Sequence, residues 1–186
     1  MDDNLIEISR TVSYALRHNP DEFNLILDDS GWVLVDELIN EIKNKHSNWD
    51  WISDLTLIEI QEQSDKQRFE IKDGSIRAMY GHSLPKQRIF LSASQPPDIL
   101  YHGTTEQATA SIKDKGLQPM QRQYVHLSAD KETAIIVGKR RCKKPVILII
   151  DAKAASARGV KFYHANEKIW LANSVSEKYI AKYNQF

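Results

Sequence analysis

"RFEIKDGSIRAMY", residues 68–80, decides how the first half of the chain is read. Asp73-Gly74 stands between two short runs with strand character. An Asp-Gly pair in that setting is the strongest short-range hairpin signal, because a tight hairpin turn needs positive φ at its central residues. Upstream, "LIEISRTVSYALR" (5–17) sets Leu5, Ile8, Val12, Ala15 and Leu16 at spacings near three and four. That spacing predicts a helix with one buried face. Asn19-Pro20 is expected to end it, since a residue before proline avoids the α region. Between helix and hairpin, the sequence predicts a turn at 28–31, a short strand at 32–34 and a helix from about Asp36. A further helix is predicted over 54–63, capped by Ser53 or Asp54.

Helices followed by a terminal hairpin have the order of a winged helix-turn-helix. The polar, proline-containing stretch "SASQPPD" (92–98) then reads as a linker. Beyond it, strands are expected at "DILYHGT" (98–104), "YVHLS" (124–128) and "PVILIID" (145–151). Late strands are expected around "KFYHA", "KIWLANS" and "YIAKY". Helices are expected at 105–116, with Gly116 as C-cap, and at 131–137. The expected class is therefore α+β in two lobes, residues 1–92 and 98–186. Neither a dinucleotide-binding nor a P-loop glycine motif occurs.

The chain has 186 residues and zero formal net charge. The balance is uneven. Residues 1–97 hold 10 Lys+Arg against 17 Asp+Glu, or −7, and residues 98–186 hold 15 against 8, or +7. Opposite signs fit two lobes facing a shared cleft, and the basic half suits a polyanion. The cluster "GKRRCKK" (138–144) is either a solvated basic loop or an RNA contact. One cysteine, Cys142, excludes an internal disulfide and a multi-cysteine zinc site. No apolar run is long enough to span a bilayer, and the acidic start lacks the order of a signal peptide. A cytoplasmic, monomeric protein without a membrane contact is expected.

Four of six histidines stand in distinctive company: Arg17-His18, "GHS" (81–83), "YHGT" (101–104) and "VHLS" (125–128). Their spacing does not match a zinc site, so no metal is expected. Arg68 and Arg122 precede predicted strands without an i+4 carboxylate. Guanidinium groups present paired N–H donors that match two phosphate oxygens. Arginines grouped with histidines therefore favour phosphate binding and stabilisation of developing negative charge. In "YHGTT", Gly103 permits close backbone approach to a ligand, and Thr104 and Thr105 open a helix whose N–H groups favour an anion. An ordinary strand-to-helix turn capped by threonine fits those residues equally well.

Taken together, "LRHNP", "SDKQRFEI", "IRAMYGHS", "LYHGT", "YVHLSAD" and "PVILIIDA" resemble the RNA 2′-phosphotransferases in order and spacing, over nearly the whole chain. The resemblance implies a winged-helix RNA lobe and an NAD-binding lobe of the ADP-ribosyltransferase fold. It implies a catalytic tetrad at Arg17, His18, Arg68 and Arg122. It places NAD, a co-substrate, against His102, Gly103, Thr104, His126, Leu127 and Ser128. Gly81, His82 and Ser83 would contact substrate or join the lobes. The implied substrate is tRNA-like RNA with an internal 2′-phosphate. That phosphate attacks the NAD ribose and expels nicotinamide; the ribose O2″ then attacks phosphorus. The products are RNA with a 2′-OH and ADP-ribose 1″,2″-cyclic phosphate. The family form has Gln where this chain has Tyr80, so no role is expected for that side chain. Two other readings stay open: ADP-ribosyl transfer to a nucleic-acid terminal phosphate, and a non-catalytic RNA-binding winged helix.

Overall fold

The computed structural model describes residues 2–64, 67–84 and 89–183. Asp65 and Lys66 of the "SDKQRFEI" motif lie outside them. The chain divides into two compact units, Met1–Phe90 and Leu91–Phe186. The described residues form a mixed α/β protein with six α-helices and two antiparallel sheets.

In the first unit, α1 (Asp3–Arg17) starts where the Asp2 carboxylate accepts from the Asn4 N–H. It ends at His18, one residue before Asn19-Pro20, and Pro20 opens a 3₁₀ turn, Pro20–Phe23. Strand β1 (Val33–Leu34) leads into α2 (Val35–Lys45), which buries Val35, Leu38, Ile39 and Ile42. Helix α3 (Asp54–Gln63) spans the expected residues, and Thr56 Oγ1 accepts from the Ser53 N–H at its start. The hairpin forms as β2 (Phe69–Lys72) and β3 (Ser75–Ala78), paired from Phe69↔Ala78 to Lys72↔Ser75. Asp73 and Gly74 have φ of 50° and 72°, the handedness a two-residue hairpin turn requires. The sheet order is β1-β3-β2. Ile8, Leu16, Leu38, Ile42, Leu57, Ile60 and Ile76 are fully enclosed in this unit. Each contributes about 2 kcal/mol of apolar burial.

The second unit is one six-stranded sheet in the order β7-β8-β5-β4-β6-β9. Its strands are β4 (Ile99–Thr104), β5 (Val125–Ser128), β6 (Val146–Asp151), β7 (Phe162–Asn166), β8 (Ile169–Ala172) and β9 (Ile180–Tyr183). Helices are α4 (Glu106–Lys115), α5 (Lys131–Gly138) and α6 (Ala152–Ala157). The sequence reading contained no α6; Asp151 caps it by accepting from the Ala154 N–H at 2.8 Å. Leu100, Leu127, Leu148, Ile150, Phe162 and Val175 are the centre of the core.

Helix α5 crosses β4 at Gly103. A Cβ on Gly103 would stand 2.1 Å from the carbonyl oxygen of Ala134 and 3.0 Å from Gly138 Cα. The close approach expected of Gly103 is thus made to the backbone of α5. Thr105 is the N-cap of α4, its hydroxyl accepting from the Ala108 N–H at 3.3 Å. The capping alternative therefore holds for Thr105.

Candidate functional site

Within the first unit, α1 delivers Arg17 and His18 at its C-terminal end, where basic groups also complement the helix dipole. Arg17 Nη2 donates to the carbonyl oxygen of Arg68 at 2.7 Å. Arg68 immediately precedes β2, and its own carbonyl also accepts from the Met79 N–H at 3.2 Å. Two guanidinium-bearing residues 51 positions apart are thereby held as neighbours. The Arg68 side chain is set by hydroxyls, with Nη1 donating to Ser9 Oγ at 3.1 Å and to Ser64 Oγ at 3.4 Å. Arg68, Ser9 and Ser64 line a shallow surface dimple together with Ile60, Gln61, Gln67 and Phe69.

The "GHS" segment meets the end of α1. The Ser83 N–H donates to the Arg17 carbonyl at 3.0 Å, and Ser83 Oγ lies 2.7 Å from His18 Nδ1. That hydrogen bond fixes the orientation of the His18 ring. Tyr80 enters from the same segment: the Arg17 guanidinium carbon lies 4.9 Å from its ring centroid, over the face. This is cation–π geometry. The contact gives Tyr80 a place that the sequence reading did not find.

His82 is 2% exposed, and its Nε2 has no hydrogen-bond partner. Burial, then the charges of Arg17, His18 and Arg77, lower its pKa to about 4 from 6.5. Both causes oppose the imidazolium. The folded chain therefore binds this proton more weakly than the unfolded chain. Stability is complete above pH 6.5 and is expected to fall as pH drops through 6.5 toward 4, by about 3 kcal/mol in total. Thermal unfolding of wild type and His82→Leu across that range is the check. The variant should show a flatter dependence, and equal slopes would contradict this origin.

In the second unit, β4 and β5 lie side by side, with Tyr101 paired to Ser128. His102 Nδ1 donates to the His126 carbonyl at 2.8 Å. A carbonyl only accepts, so the His102 proton sits on Nδ1 and Nε2 keeps its lone pair. Burial lowers the His102 pKa, partly offset by that bond, and favours the neutral ring. His126 is likewise set: Nδ1 donates to the Tyr124 carbonyl at 3.1 Å, leaving Nε2 to accept from Arg122 Nη1 at 3.1 Å. The chain Arg122–His126–Tyr124 ties the guanidinium to the start of β5. Ser128 and Thr104 are buried polar residues at the strand ends, and Leu127 is a core residue.

Each unit therefore gathers its own part of the expected set. Arg17, His18, Arg68 and the 81–83 segment share the first unit; Arg122 and the 102–104 and 126–128 segments share the second. The sequence reading missed Ser9, Ser64, Tyr80 and Tyr124. Ser9 and Ser13 lie four apart among the buried residues of α1. That polar pair within an apolar face is the one available signal.

The family model for "RNA 2′-phosphotransferase, Tpt1/KptA family" matches residues 3–174. A probable RNA 2′-phosphotransferase of Acetivibrio thermocellus is 51% identical over 174 residues, covering 94% of each chain. One from Bacillus thuringiensis subsp. konkukian is 46% identical over 178 residues, covering 94% of this chain and 93% of its own. One from Acaryochloris marina is 40% identical over 184 residues, covering 98% and 99%.

Proposed function

Because the chain belongs to the RNA 2′-phosphotransferase, Tpt1/KptA family, we propose that it removes an internal 2′-phosphate from RNA with NAD as co-substrate. In this reading the first unit is a winged-helix RNA lobe with β2–β3 as its wing. The second unit is an NAD lobe of the ADP-ribosyltransferase fold. The observation that carries the reading is the Arg17–Arg68 bond, which keeps two guanidinium-bearing residues together beside His18. A 2′-phosphate is already an anion and needs no strong base to attack. It needs its charge bound and its direction set, which guanidinium groups do.

Arg17 and Arg68 hold phosphate oxygens. Arg122, oriented by His126, offers the second unit's guanidinium to negative charge that develops during transfer. His18, held by Ser83, contacts a ribose hydroxyl and moves its proton in the second step. NAD supplies a ribose carbon made electrophilic by its nicotinamide leaving group. The donor set of the second unit suits it: the His102 Nε2 lone pair and the Thr104 and Ser128 hydroxyls are partners for ribose and carboxamide groups. Gly103 and Leu127 keep the strands at the required spacing. His82 stays neutral behind Arg17, so Gly81, His82 and Ser83 serve the substrate through Arg17 and His18.

Tyr80 gives a graded test of the Arg17 assignment. Tyr80→Leu removes the π face, and a contact of about 0.5–2 kcal/mol corresponds to a loss of about 2- to 30-fold in turnover. Tyr80→Phe keeps the face and should stay near wild type. Equal rates for Leu and wild type would contradict the assignment. The function itself is tested by incubating the protein with internally 2′-phosphorylated RNA and NAD. Nicotinamide, 2′-OH RNA and ADP-ribose 1″,2″-cyclic phosphate are expected. A stable ADP-ribosyl group on a terminal phosphate would replace this function with the capping reaction. No nicotinamide release would leave only RNA binding.

A further inference from the structure

The positive charge of the second half is concentrated in one turn. Residues 98–186 sum to +7, and Lys139, Arg140, Arg141, Lys143 and Lys144 supply +5 of it, leaving +2 for the rest. All five side chains are exposed. Among the described residues none of the five makes a side-chain ion pair or hydrogen bond.

The turn that carries them is anchored. The N–H groups of Arg140 and Arg141 donate to the carbonyls of Val137 and Gly138 at 3.2 and 2.9 Å, and that of Cys142 to Gly138 at 3.3 Å. The Cys142 thiol points at the Thr104 carbonyl, 4.0 Å away. On one side Gly138 is wedged between Pro145 and Gly103, so a Cβ there would meet Pro145 Cβ at 2.6 Å. The backbone of the basic turn is thus pinned to β4 at Gly103-Thr104, while its charges point into water.

A helix C-terminus benefits from a nearby cation by about 0.3–1 kcal/mol. One or two would serve α5. Five within six positions repel one another, and an anion that runs along them relieves the repulsion while releasing their counterions. A dinucleotide pyrophosphate offers two charges at one point. A single RNA strand offers one per nucleotide along its backbone, and anchoring spares the cost of ordering the turn's main chain.

We propose that the turn at 138–144 docks the phosphodiester backbone of the RNA. The proposal rests on RNA being the substrate, and its test does not depend on turnover. Binding of a short labelled single-stranded RNA with an internal 2′-phosphate is measured without NAD, across a salt series. Wild type is compared with a variant carrying Lys139→Gln, Arg140→Gln and Arg141→Gln. The variant should bind about tenfold or more weakly at low salt. Its log–log salt slope should shrink by about 2, close to 0.7 per lost phosphate contact. Arg140→Lys with Arg141→Lys should keep both, because charge is what is read. In the coupled assay the triple variant should raise KM for RNA and leave KM for NAD unchanged. Unchanged affinity and slope at an unchanged unfolding midpoint would overturn the docking surface. So would a change confined to KM for NAD, which assigns the turn to the dinucleotide. RNA binding without nicotinamide release in wild type would instead remove the transferase reading and leave the surface standing.

Discussion

Arg17→Ala is expected to lower 2′-phosphate transfer by about 100- to 1,000-fold, the range for removing one preorganised donor from a developing charge. The loss has two parts. On the proposed reading the phosphate loses a guanidinium, and the Arg68 carbonyl loses the donor at 2.7 Å that ties α1 to the start of β2. Arg17→Lys separates them. Lysine keeps the charge but not the planar fork that bonds Arg68 while lying over Tyr80. It is expected to recover little of the rate. Single-turnover measurement with saturating NAD and 2′-phosphorylated RNA is the check. Activity within about threefold of wild type for Arg17→Ala would refute the assignment. His18→Ala, assayed in parallel, should accumulate ADP-ribosylated RNA if His18 serves the second step. Wild-type product release by that variant would exclude this role.

Gly103→Ala is expected to have the largest effect on stability. The new methyl would sit 2.1 Å from the Ala134 carbonyl oxygen. Neither partner is a flexible side-chain end, so α5 or β4 must move by about an ångström or more to reach ordinary contact. Forced overpacking of this kind costs about 3 kcal/mol or more. Thermal or urea unfolding reads it directly. Any fall in activity should follow the fall in folded fraction. A folded variant with a wild-type midpoint would show that α5 can lift from β4 without penalty.

Local patterns carried much of the fold. The 3.6-residue spacing located α1, the Ser53 cap and its apolar sequel located α3, and Asp73-Gly74 located the β2–β3 turn. What they could not carry was pairing at a distance. The order β7-β8-β5-β4-β6-β9 has no local signature. Helix α6 has six residues, too few for a periodic signal, and rests on one capping carboxylate. At the site, residue types marked Arg17, Arg68 and the histidines, because forked cations beside imidazoles are unusual company. Their partners were invisible for a physical reason. Ser9 lies 59 positions from Arg68, and Tyr80 lies 63 from Arg17, so only the folded chain brings them together. Gly103 was read as a point of close approach to a ligand, whereas the approach is to the backbone of α5, which no local pattern announces.

The register of the second sheet has a kinetic consequence. Tyr163 and Leu171 pair across eight residues, so β7–β8 can zip locally. Leu100 pairs with Ile150 and Leu127 with Trp170, closing segments of 50 and 43 residues. The entropy of such closures is lost before the new contacts can offset it. The strands that carry His102 and His126 are therefore expected to be among the last to lock during refolding. A refolding chain would hold its local β7–β8 hairpin before β4 and β5 bring His102 and His126 side by side.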